Sequence, residues 1–201
     1  MGGRYLVIQR IRGIDSSCRE MGDDVGLFGK KKISEREAVG QFIVYVSTRV
    51  KEIWPFAVEH LKSLAPIDDS MVDDLQARYE LVVAVISIHT LALPAVMSTD
   101  LAIRIQQQIL KCLNVPEQDG LPLRLFDKYS SVWNKEQGST HKTPYYCVAP
   151  VLIERLGLAK DFDRDDPNNH VMLVELYLTK TVHSVGEGWW VDLVRKYNIV
   201  Q

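Results

Sequence analysis

Cysteine is scarce in this chain: Cys18, Cys112 and Cys147 are the only three in 201 residues, and they form no CxxC pair. An odd, scattered set excludes a disulfide framework. The start MGGRYLVIQRIRG has too short an apolar stretch for a secretory leader, so a reducing cytoplasm is the expected location. Myristoylation is excluded too, because Leu6 stands where that modification needs a small hydroxyl residue. Catalytic signatures are missing as well. The sequence contains no HExxH, no ExxH pair of the di-iron bundles, no GxSxG and neither phosphate-cradling glycine motif. No repeat of fixed period occurs, which excludes a solenoid. No metal and no cofactor are expected on these grounds.

Charge is nearly balanced at a formal −2, but it is unevenly placed. Residues 1–32 carry seven basic against four acidic side chains, and the remaining 169 carry 17 against 22. A body of that sign repels phosphate, so no nucleic-acid partner is expected. The run Lys30-Lys31-Lys32 is too short to hold lipid or nucleic acid alone and reads as a solvated segment. Charge is absent altogether from residues 81–99, LVVAVISIHTLALPAVMST, a stretch approaching the length of a membrane span. His89, Pro94 and several hydroxyls interrupt it, and no aromatic belt or positive flank accompanies it. A central helix buried on every side is the better reading, and membrane insertion is not expected.

What is present is ordinary globular material, 46% apolar and 25% charged, enough for one core without staples. Residues 1–32 hold six glycines and no sustained period and read as a flexible basic arm. Within it Tyr5 to Ile11 alternates like a strand, with no partner strand in sight. The run GLFGKKKISEREAV resembles the opening of a small cytosolic protein. The natural start is therefore expected downstream of Met1, and a native peptide covering Met1 to Arg12 in a mass spectrum would refute this.

Residues 33–201 read as a single helical domain. Ser34-Glu35-Arg36-Glu37 is a capping box, and Pro55 is expected to kink or restart the helix that follows. Ser70 is read as the cap of the apolar central helix and Ser98 or Thr99 as the cap of the next. Thr143-Pro144 marks a further helix start, and a last amphipathic helix gathers Trp190, Val191, Val194 and Tyr197 on one side. The expected fold is all-α: an irregular, orthogonal bundle of seven or eight helices around the central apolar one.

Few residues invite chemistry. The carboxylates of Asp161-Phe162-Asp163-Arg164-Asp165-Asp166-Pro167 resemble the start of a calcium loop, but Asp166 replaces the required glycine and Met172 the closing glutamate. A solvated acidic turn is the better reading. His89 interrupts an apolar helix, and a buried imidazole needs a hydrogen-bond partner or a ligand. His89 and His60 are therefore the candidate ligand-binding residues, with a satisfied core histidine the leading reading for His89. His141 and Cys147 could pair as base and nucleophile, yet Cys147 follows Tyr145-Tyr146 in a context of core packing. Trp189 and Trp190 are adjacent, so a helix turns one inward and leaves the other near the surface. With Tyr197 they are the candidate partner-binding residues. The functional expectation is a helical protein–protein interaction module acting through the C-terminal helix on another protein or on itself. The alternative is a small-molecule binder or enzyme with a pocket inside the bundle.

Overall fold

The computed structural model describes residues 30–65, 67, 74–114, 120–136, 143–158 and 171–201. Most of the expected arm lies outside the described residues, as do the strand-like residues 5–11, Ser70, His141, His170 and the acidic turn 161–167. The chain is mostly helical. In order, the elements are β1 (Lys31–Ser34), α1 (Glu35–Leu64), α2 (Leu75–Leu91), a 3-10 turn (Leu93–Ala95), α3 (Thr99–Leu113), α4 (Leu121–Glu136), a 3-10 turn (Pro144–Cys147), α5 (Val148–Arg155), α6 (Val171–Gly186), α7 (Trp189–Lys196) and β2 (Tyr197–Val200).

The all-α expectation needs one correction. Strands β1 and β2 pair in parallel, with Lys31 opposite Tyr197 and Ile33 opposite Ile199. Parallel strands need a long crossover, and here the helices between the strands supply it. Four residues beginning with two lysines carry too little alternation to announce a strand. Tyr197 consequently opens β2 rather than closing the last helix. Lys31 and Lys32, assigned to the arm on sequence, occupy the first two positions of β1.

The described chain divides into two compact units. The first holds residues 30–45, the described part of 93–123, and 188–201. Its core gathers Phe42 from α1, Ile105 and Ile109 from α3, Trp190 from α7 and Ile199 from β2, all buried. Ser34 ends β1 and caps α1, its Oγ accepting from the Glu37 amide at 3.2 Å. The Glu37 carboxylate also accepts a hydrogen bond from Gln41, one turn further along α1.

The second unit holds the described parts of 46–92 and 124–187. Helix α1 continues past Pro55 without a break. Proline removes one backbone hydrogen bond; the buried side chains on either side of it, Val50, Trp54, Ala57, Val58 and Leu61, hold the helix in register across the gap. The restart expected at Pro55 does not occur. Helix α2 starts at Leu75, and Asp74 caps it, accepting from the amides of Gln76 and Ala77. Every residue from Val83 to Thr90 is buried. Eight consecutive positions exceed two helical turns, so over this stretch all faces of α2 are covered by protein, as the missing charge implied. Among the described residues no helix is long and apolar enough to cross a membrane.

Candidate functional site

Within the second unit the chemistry-bearing side chains meet around His89. Helix α2 carries it in its last turn, where α-helical spacing, not charge, fixes its direction. The ring is 5% exposed. Its Nε2 lies 3.2 Å from the Val182 carbonyl oxygen on α6. A carbonyl only accepts, so Nε2 carries the hydrogen and Nδ1 is the bare lone pair. Into that lone pair points the Tyr145 hydroxyl, at 3.3 Å. Tyr145 owes its place to the 3-10 turn that Pro144 begins after the extended Thr143.

The ring face is closed as tightly as the ring edge. A Cβ built on Gly186 would stand 2.4 Å from Nε2, so α6 approaches α2 there only because residue 186 has no side chain. Tyr145 packs edge-on against His89 at 5.5 Å and against His183 at 4.5 Å between ring centroids. His183 Nδ1 is 3.7 Å from the Glu187 carboxylate. Burial pushes the His89 imidazole down to about 4 against smaller opposing effects, the largest being the bond to the Val182 carbonyl. Burial, then the Glu187 charge, pushes the Tyr145 hydroxyl up to about 12. Near neutral pH both groups are uncharged. Since the folded imidazole resists protonation more than the unfolded one, its contribution to stability is complete above pH 6.5 and is lost as pH falls toward 4.

This arrangement joins α2, α6 and the 3-10 turn, and it leaves His89 no vacant nitrogen for a substrate. His60 does not join it. His60 is exposed on α1, its ring 4.3 Å from that of Tyr177 on α6. Cys147 is buried. Among the described residues no group of three His, Cys, Asp or Glu side chains could hold a metal ion.

In the first unit Trp190 is buried and Trp189 half-buried, the split that adjacent helix positions require. Phe42 touches both, at 5.1 Å from Trp189 and 4.9 Å from Trp190, and Tyr45 lies 6.3 Å from Trp189. The Trp190 indole nitrogen is buried without a hydrogen-bond partner among the described residues. Tyr197 is half-buried in β2. A cleft of about 330 Å³ lies elsewhere in this unit, lined by Ser34, Glu35, Arg36, Arg104, Gln107, Gln108 and Gln201. Glu35, buried at the start of α1, is bonded there by Arg104 of α3.

Sequence reasoning missed two features of the second unit. Glu80, 2% exposed, accepts from Arg155 of α5 and from Gln76 one turn earlier on α2. A lone acid opening an apolar run was its only signal, and its partner lies 75 residues away. The other is an apolar row on α6, where Met172, Leu173 and Leu176 are 77%, 46% and 51% exposed. Leu173 lies one turn before Tyr177, whose ring meets His60, and Phe56, 72% exposed, lies one turn before His60 on α1.

No protein-family model, curated protein or solved structure matches the chain.

Proposed function

We propose that this chain is a helical protein–protein interaction module, an adaptor, assembly or regulatory factor, and that it works through its surface. One observation carries the reading: Met172, Leu173 and Leu176 stand in water on one helix, beside the His60–Tyr177 contact that Phe56 flanks. Single exposed apolar residues are ordinary, but a run of them on neighbouring helices marks partner surfaces. The saturated His89 supports the same direction, since the most chemically capable buried group is already engaged. Trp189 of the C-terminal helix, half-buried against Phe42 and Tyr45, is the second proposed anchor, with the buried Trp190 packed against it and Tyr197, half-buried in β2, completing the proposed partner-binding set. The proposal keeps the chain in the cytoplasm, its helices in an irregular orthogonal bundle of seven or eight, and its partner a protein or a second copy.

The double variant Met172→Asp/Leu176→Asp tests it. Both side chains are already in water, so the thermal unfolding of the variant is expected to match the wild type within about 0.5 kcal/mol. Self-association by sedimentation, or recovery of a defined partner from native extract, is expected to weaken roughly thirtyfold, the loss of about 2 kcal/mol typical of an anchor. A wild-type chain that sediments as a monomer and retains nothing that the variant loses would remove the proposal.

Small-molecule binding is the second reading, and the cleft beside the Glu35–Arg104 pair favours it. There the ligand would meet guanidinium and amide groups, not His89 or His60. Thermal shift against a library of small polar metabolites separates the readings: stabilisation abolished by Gln107→Leu supports the cleft, and no stabilised condition removes it.

A further inference from the structure

The junction at His89 joins three elements through one titratable ring. Its Nε2 holds the Val182 carbonyl and its Nδ1 the Tyr145 hydroxyl. Among the described residues, the charged and titratable groups facing it are His183 from α6, Glu187 just after that helix, and Tyr145 from the 3-10 turn. The ionisable groups of α5 are engaged elsewhere: Glu154 pairs with Lys128, and Arg155 with Glu80. Glu80 lies nine residues before His89, or about 13 Å along the helix axis. None of these neighbours offers a buried carboxylate to an imidazolium. Glu187 is exposed and already lies beside His183. Two helix C-termini, those of α2 and α6, favour a cation here; burial, the largest influence on the ring, holds its imidazole below the ordinary value. On the α6 side the close approach of Gly186 leaves the ring no space in which to shift. A proton added to Nδ1 is therefore accommodated most easily by opening the junction to water.

We propose that the His89 junction is an acid-sensitive latch: protonation of its imidazole releases the last turn of α6 and the Tyr145 turn from α2, while the rest of the second unit stays folded. The open ring titrates at the ordinary 6.5 and the closed one near 4. Between pH 7.5 and 4.5 the opening equilibrium is thus expected to rise roughly seventyfold.

Native-state hydrogen exchange on the full chain, corrected for intrinsic rates, reads this directly. At the amides of residues 183–187 and 145–148, opening is expected to rise by that factor, while amides in the middle of α2 stay protected. In His89→Gln the rise is expected to vanish; in His183→Gln and Glu187→Gln it is expected to persist. Wild-type exchange at those amides that changes by less than about fivefold would overturn the latch. So would an undiminished rise in His89→Gln, or its loss in His183→Gln. Should His89→Gln not fold, the wild-type profile and the His183→Gln result decide the matter.

Discussion

Arg155→Ala is expected to cost about 3–5 kcal/mol of unfolding free energy, the largest single effect anticipated for a side chain that reaches the surface. The Glu80 carboxylate is 2% exposed and receives Arg155 and Gln76 on the same oxygen. Removing the guanidinium leaves a buried anion supported by one amide, and an uncompensated buried charge costs more than the pair contributes when intact. Replacing both partners, as in Glu80→Met/Arg155→Met, is expected to return stability to near the wild-type value, because no charge remains to be stranded. Urea unfolding measures both: the midpoint should fall sharply in the single variant and recover in the double, at constant slope. A single variant as stable as the wild type would show that Glu80 has water around it.

Gly186→Ala is the second large effect. Alanine normally favours a helix over glycine by about 1 kcal/mol. Here its Cβ would lie 2.4 Å from His89 Nε2 and 2.5 Å from Cδ2, and the ring is held from both nitrogens, so it cannot swing aside. Overpacking of that kind costs about 1–3 kcal/mol, and more where nothing yields. The net expectation is a loss of about 2 kcal/mol, opposite in sign to helix propensity. Paired with His89→Ala the substitution should cost much less than the sum of the two, since the truncated ring makes room for the new methyl. Additive losses would show that the two residues do not touch.

How far the sequence already carried this structure varies with the reach of each signal. Local patterns served well. The uncharged stretch of α2, the restart at Thr143-Pro144 and the split between adjacent tryptophans all follow from side-chain spacing, and each appears in the fold. Signals spread over distance did not. The β1–β2 pairing joins residues 166 apart, and Glu80 finds its cation 75 residues on; neither partner is visible from the other's neighbourhood. Pro55 misled because propensity was read without the packing that overrides it. His89 is the instructive intermediate case. That it was buried and needed partners was legible, yet the identities of Val182 and Tyr145 were not, because a backbone carbonyl and a turn tyrosine carry no motif. The exposed row on α6 carries no sequence signal for the same reason: apolar residues at helical spacing look identical whether water or protein covers them.

The account turns on His89 being spent on structure, which is what moves the proposed function to the surface. Nitrogen-15 chemical shifts of the imidazole, followed from pH 8 to pH 4, test it most directly. The account predicts a neutral ring with its hydrogen on Nε2, no titration above pH 5, and a midpoint of about 4. A hydrogen on Nδ1, or a midpoint near 6.5, would contradict it by showing a histidine open to water and free to act.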